Sequence, residues 1–205
     1  MIELTVPFSD DELPQRIRAT MAAAEFADHE AYIRVLLTRG IGELTYDVRA
    51  TPTPSVVVIV KPQTDPPADA YDRGVMVTIS SVVRNHPSAV NPLIKSNNLM
   101  NSALAMQEAY RRGAFVFTPP LDAGVLPGIT RDFVFEIGKR ANVSVVEATL
   151  RDDDLLGADE AFLTSTTREI VPIVSVDTAK IGIGVPGPVT VSLLGAFRRE
   201  ARRAA

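Results

Sequence analysis

With no cysteine and only two histidines, His29 and His86, this sequence leaves reactive chemistry to lysine, hydroxyl, arginine and carboxylate side chains. Thiolate metal sites, disulfides and multi-histidine metal centres are excluded. Lys95 follows Pro92-Leu93-Ile94 and precedes Asn97-Asn98. A lysine held at an apolar strand end loses solvation, which favours its neutral, nucleophilic form. The plain alternative is a solvated loop lysine.

Two segments could hold an anion. Leu126-Pro127-Gly128-Ile129-Thr130-Arg131 is a turn that opens a helix. The free N–H groups and positive dipole end of such a helix attract phosphate, and Thr130 adds a hydroxyl. Ser165-Thr166-Thr167 closes a strand and offers three hydroxyls. Arg34 and Arg39 lie five apart in one run, so a regular strand would point them to opposite faces. An inward arginine suits a carboxylate by bidentate pairing. Gly182-Ile183-Gly184-Val185-Pro186-Gly187 spells G-x-G-x-x-G, but no second strand can follow it before Ala205. It therefore reads as a glycine-rich turn ahead of a helix rather than a dinucleotide fingerprint. Arg198, Arg199, Arg202 and Arg203 suit the negative end of the last helix. His29 and His86 read as surface residues.

These residues need a scaffold, and the composition supplies one. Of 205 residues 46% are apolar, enough for a buried core, and the net charge of −4 argues against a phosphate-backbone binder. No apolar run approaches the ~20 residues of a membrane span. The first residues have no basic start and no apolar h-region, so a cytoplasmic protein is expected. Ser9-Asp10-Asp11-Glu12 has the form of a capping box, predicting a helix to about Ala27. Strands are predicted at 31–38, 55–60, 75–80, 115–117, 143–148, 161–165 and 170–176. Helices are predicted at 97–112, with Ala103, Met106, Ala109 and Tyr110 on one side, and at 129–140, 152–156 and 188–203. The alternation gives a mixed α/β (α+β) class in two lobes, 1–84 and 94–205, joined by the turn-rich stretch 85–93.

In this order the segments resemble the class IV aminotransferases, the fold-type IV pyridoxal-phosphate enzymes. That family includes branched-chain and D-amino acid aminotransferases and aminodeoxychorismate lyase. The resemblance is carried by Tyr32-Ile33-Arg34 with Thr38-Arg39-Gly40, by Ile94-Lys95-Ser96-Asn97-Asn98-Leu99, and by Leu126-Pro127-Gly128-Ile129-Thr130-Arg131. It continues through Ala158-Asp159-Glu160-Ala161-Phe162 to Ser165-Thr166-Thr167-Arg168-Glu169-Ile170-Val171-Pro172, and ends at Gly184-Val185-Pro186-Gly187-Pro188-Val189-Thr190.

The resemblance implies that Lys95 forms the Schiff base with pyridoxal 5′-phosphate and shuttles the proton between the substrate Cα and the cofactor. Gly128, Ile129, Thr130, Ser165 and Thr166 would bind the cofactor, chiefly its phosphate. Tyr32 with Arg34, or else Arg39, would grip the substrate carboxylate, with Thr166 and Thr167 near it. The implied activity is transamination between an amino acid and a 2-oxo acid in a homodimer, without nucleic acid or membrane. The alternatives are an aminodeoxychorismate lyase-like enzyme, or an impaired member acting through association alone. Two family pieces are expected to be absent. One is the N-terminal segment with its His-Leu-x-x-Arg-Leu helix, which leaves the N-terminal lobe incomplete. The other is a strand pair ending in Glu-x-x-x-x-Asn, which would fall where Ala114 meets Phe115. Its glutamate normally pairs with the cofactor's pyridinium nitrogen.

Overall fold

The computed structural model describes residues 2–26, 30–83, 85–86, 88–91, 94–112, 115–116 and 128–204. The chain divides into two compact units, Met1–Asp65 and Pro66–Ala205. This break lies ahead of the expected connection at 85–93, because the strand that follows it pairs within the second unit.

In the first unit, helix α1 (Glu12–Ala23) packs on strand β2 (Ser55–Pro62), which pairs antiparallel with β1 (Ala31–Thr38). Only half of the expected capping box forms: the Ser9 amide donates to Glu12 Oε2 at 2.8 Å, but the Glu12 amide donates to the Ser9 carbonyl rather than its hydroxyl, and the helix starts at Glu12 with Asp11 as an N-cap that makes no side-chain bond. The helix stops at Ala23 rather than Ala27. Glu25 turns left-handed at φ +61° and the Phe26 amide reaches back to the Met21 carbonyl, a Schellman-type stop. Register pairs Ile33 with Val60, Val35 with Val58 and Leu37 with Val56, so one face of the ribbon is wholly aliphatic. The other face carries Tyr32 opposite Lys61 and Arg34 opposite Ile59. A 3₁₀ turn at Val48–Ala50 lies between the strands, its start capped by Asp47.

The second unit is built on a mixed sheet. Its strands are β3 (Val75–Thr78), β4 (Phe115–Val116), β5 (Ala161–Ser165), β6 (Glu169–Val176) and β7 (Ala179–Lys180), in the order β4-β3-β6-β5 with β7 also on β6. β3 runs parallel to both β4 and β6, while β5 and β7 run antiparallel to β6. Helix α2 (Asp69–Asp72) packs on β6, and α3 (Met100–Arg112) packs on β3 and β4. Helices α4 (Ile129–Arg140) and α6 (Pro188–Ala204) pack on each other and on β5 and β6 respectively, with the short α5 (Asp152–Leu156) before β5. The core gathers Val134 and Ile137 of α4, Ile170 of β6 and Leu193, Leu194 and Phe197 of α6. Each such side chain contributes roughly 1.5–3 kcal/mol by leaving water. The Phe133 and Phe197 rings meet edge to face at 5.1 Å. A smaller cluster gathers Val77 of β3, Ile173 and Val176 of β6, and Ile181.

Two elements differ from expectation. Residues 143–148 form no strand. Val143 and Val145 pack instead against the core beside α4, where a Cβ on Gly138 would meet Val145 Cγ2 at 2.5 Å. Their valines alternate as in a strand but close a helix flank without a ladder partner. On α3 the buried stripe is Ala105 and Ala109, and Tyr110 and Ala103 face outward. Two alanines let the helix approach β3 closely, so the stripe is narrower than the apolar pattern predicts.

Candidate active site

Lys95 is exposed, not desolvated at a strand end. The Ser96 amide donates to the Ile94 carbonyl at 2.8 Å, closing a three-residue turn with Lys95 at its centre. The Ile94 amide donates to the Asn91 carbonyl at 3.0 Å, and Ser96 Oγ accepts from the Asn98 amide before α3 begins. Among the described residues Lys95 Nζ has no hydrogen-bond or ion-pair partner. The turn, rather than an apolar strand end, sets the direction of the amine.

The start of α4 is open. Gly128 is its extended N-cap (φ −95°, ψ 135°) and, being glycine, supplies no side-chain cap. The Asp132 amide closes the first turn on the Gly128 carbonyl at 3.0 Å. The amides of Ile129 and Thr130 meet no acceptor among the described residues. Arg131 faces away to Glu147 at 2.8 Å and lies 4.9 Å above the Phe135 ring. A twelve-residue helix whose first amides meet no acceptor among the described residues suits an anion.

α4 packs on β5, which ends at Ser165 and leads into the turn that holds Thr166 and Thr167. There the Arg168 amide donates to both the carbonyl and the hydroxyl oxygen of Ser165, at 3.3 and 3.1 Å. Ser165 thus shapes the turn, while Thr166 and Thr167 are exposed. Glu169, at φ +55°, returns the chain into β6 and pairs with Arg198 at 2.8 Å. The Arg198 guanidinium is held further above its usual range by that carboxylate. It also lies 4.6 Å above the Tyr71 ring. Arg203 pairs with Glu200.

In the first unit Tyr32 and Arg34 share one face of β1, and Lys61 Nζ lies 4.9 Å from the Tyr32 ring centre. β1 ends at Thr38, so the strand alternation expected to separate Arg34 from Arg39 does not reach Arg39. The Arg39 guanidinium donates to the Ile2 carbonyl. His86 is exposed and bonded to Ser88 Oγ at 2.6 Å, and His29 lies outside the described residues.

The G-x-G-x-x-G segment is a turn. Gly182 and Gly184 take φ +52° and +80°, and Gly187 precedes α6. The amides at that helix start are already covered by a carboxylate. Glu160 accepts from the Val189 amide at 3.0 Å and from the Thr190 amide and hydroxyl at 2.8 Å each. Burial alone would push the Glu160 carboxyl up, but these three donors outweigh it and hold it below its ordinary range. Sequence reasoning missed Glu160. Gly187 gives α6 no side-chain acceptor of its own, but the sequence does not say which distant carboxylate supplies one.

It also missed Glu108 of α3, whose carboxylate accepts from Ser80 Oγ at 2.9 Å and from Ser81. No group of three or more carboxylate, histidine or cysteine residues arranged to hold a metal occurs among the described residues. No helix among them is long and apolar enough to cross a membrane.

Comparison with known proteins shows the family of the chain. The profile of the family described as Amino-transferase class IV matches residues 1–117 and 111–176. Its two pieces meet at the junction where the sequence runs from Ala114 into Phe115. A branched-chain-amino-acid aminotransferase of Salmonella typhimurium is 31% identical over 219 residues, covering 92% of this chain and 70% of that protein. A D-alanine aminotransferase of Bacillus licheniformis is 27% identical, covering 97% of this chain and 77% of its own length. Both alignments are longer than the 205 residues available, so each relative carries residues with no counterpart here. The branched-chain amino acid aminotransferase of Thermobaculum terrenum, solved in its PLP form, superposes with a TM-score of 0.86 at 25% identity, over 100% of this chain and 74% of that one. The chain belongs to the class IV aminotransferase family.

Proposed function

We propose that this chain binds pyridoxal 5′-phosphate through Lys95 and transfers an amino group between an amino acid, of branched-chain or D-configured type, and a 2-oxo acid. The observation that carries the reading is the presence in one unit of an exposed lysine on a tight turn and of a helix start whose first amides meet no acceptor among the described residues. That donor set suits a phosphate-bearing aldehyde: an amine for the carbonyl carbon and backbone amides for the anion.

When bound, the cofactor supplies an electron sink for the substrate's Cα electrons. Lys95 Nζ would hold the cofactor at its aldehyde carbon in the absence of substrate and, when the substrate amine takes that place and frees it, would hold the proton from the substrate Cα. The Ile129 and Thr130 amides hold the phosphate, Gly128 leaves its approach open, and the Thr166 hydroxyl adds a donor. Ser165 supports that hydroxyl by shaping the turn. Tyr32 with Arg34, or Arg39, binds the substrate carboxylate, and Thr167 is assigned to the substrate as well. Comparing Arg34→Gln with Arg39→Gln separates the two carboxylate assignments by which one raises the KM. A cytoplasmic homodimer is part of the same reading.

A second reading, association without turnover, draws on the sequence's lack of the Glu-x-x-x-x-Asn segment. One experiment tests both. The protein is mixed with pyridoxal 5′-phosphate, and the visible absorbance of the lysine-bound cofactor is followed before and after adding single amino acids. The band should form, vanish in Lys95→Ala, and shift with a substrate amino acid. A band unchanged in Lys95→Ala overturns the lysine assignment. A Lys95-dependent band that no amino acid shifts favours association.

A further inference from the structure

Lys95 sits on an irregular stretch between β3 and α3, and the two ends of that stretch are tied together. On the outgoing side, Glu108 accepts from Ser80 Oγ at 2.9 Å, from Ser81 Oγ at 3.0 Å and from the Ser81 amide at 3.1 Å. Ser80 Oγ in turn accepts from the Val82 amide at 3.0 Å. Two helical turns before Glu108, Asn101 Nδ2 donates to the Val83 carbonyl at 2.8 Å. Asn101 and Glu108 lie seven apart, on the helix face that also buries Ala105 and Ala109. The residues that lead into the lysine segment are therefore bonded to the helix that leads out of it.

We propose that Glu108 and Asn101 are positioning residues for Lys95. They close the base of its loop and so fix where the amine sits, although neither is a partner of the amine. The inference rests on the proposed role of Lys95 and adds a cause for its placement. The physical reason is loop entropy. A segment anchored at both ends samples fewer conformations, and an amine must be held close to its carbonyl partner to react quickly. An ionised carboxylate only accepts, which matches the donors presented by Ser80 and Ser81. A glutamine would turn an NH₂ group toward them.

The test uses the full chain as wild type, Glu108→Gln, Glu108→Asp and Asn101→Ala. Amide hydrogen exchange is measured on peptides covering 80–83 and 94–99 without cofactor. Separately, the rate at which pyridoxal 5′-phosphate and borohydride modify Lys95 is compared with Lys61, Lys139 and Lys180 by peptide mass spectrometry. Glu108→Gln should speed exchange in both peptides and slow Lys95 modification, each about tenfold, with the reference lysines unchanged. Glu108→Asp should recover most of both effects, and Asn101→Ala should show a smaller change in the same direction. Wild-type exchange and modification in a folded Glu108→Gln overturns the proposal. If Glu108→Gln does not fold, unchanged behaviour of Asn101→Ala overturns it. If wild-type Lys95 reacts no faster than the reference lysines, the cofactor reading fails, and exchange alone still decides the positioning claim.

Discussion

Glu160 and Thr190, thirty residues apart, are joined twice: the Thr190 amide and its hydroxyl both donate to the same carboxylate oxygen at 2.8 Å. Thr190 is only 1% exposed. The residue that enters β5 thereby caps the helix that covers β6. Glu160→Ala leaves a buried hydroxyl and two helix-end amides without their acceptor. It should destabilise the fold by about 2 kcal/mol, read from urea denaturation. Thr190→Val should recover little of that loss, because the amides stay uncovered.

The same carboxylate predicts a pH dependence. Its folded pKa lies below the ordinary glutamate value of 4.5, so its stabilisation is complete above that value. The contribution disappears as pH falls through the lower folded pKa. The stability difference between wild type and Glu160→Gln should be constant from neutral pH down to about 5 and then shrink. A difference that grows on acidification contradicts the assignment.

Gly182 and Gly184 share the left-handed region but not their surroundings. A Cβ on Gly182 would lie 2.1 Å from the Asp159 carbonyl oxygen, a backbone atom one residue past the Ala158 carbonyl that accepts from the Gly182 amide. At Gly184 the nearest atom is the flexible Lys180 side chain at 3.2 Å. Gly184→Ala should cost about 1 kcal/mol, the backbone strain alone. Gly182→Ala should cost at least about 2 kcal/mol more, measured by thermal denaturation.

Ile137 is fully buried between α6 and the sheet, whereas Ile183 is 85% exposed. Ile137→Ala should lower stability by about 3–4 kcal/mol through lost contact and a cavity. Ile183→Ala should change it by less than about 0.5 kcal/mol. Equal effects would contradict the packing of α4 on the core.

Local pattern made part of this fold legible. β1 and α4 run over the residues their aliphatic runs and boundaries predict, because strand and helix periodicity act over a few residues. The valines of 143–148 misled for the same reason: alternation reports a buried face, not a ladder partner. The run Pro92-Leu93-Ile94 drew attention to Lys95, but the exposed turn that carries it has no apolar period and was not legible. The Glu108–Ser80 and Glu160–Thr190 pairs were invisible, since each joins polar residues 28 or 30 positions apart. Which distant donor meets which carboxylate is decided by the packing of β3, α3, β5 and α6, and no spacing rule encodes it.

The short passage from Arg112, the end of α3, to Phe115, the start of β4, is also a statement about direction. β4 enters the sheet parallel to β3, as a strand following a single crossover helix does. Two antiparallel strands, one out and one back, return a chain to the end of the sheet from which it left. Leaving such a pair out between α3 and β4 preserves the sense of every later strand, whereas leaving out one strand would reverse it. Whole strands can thus be gained or lost at this point of the chain without reversing β4 only in antiparallel pairs.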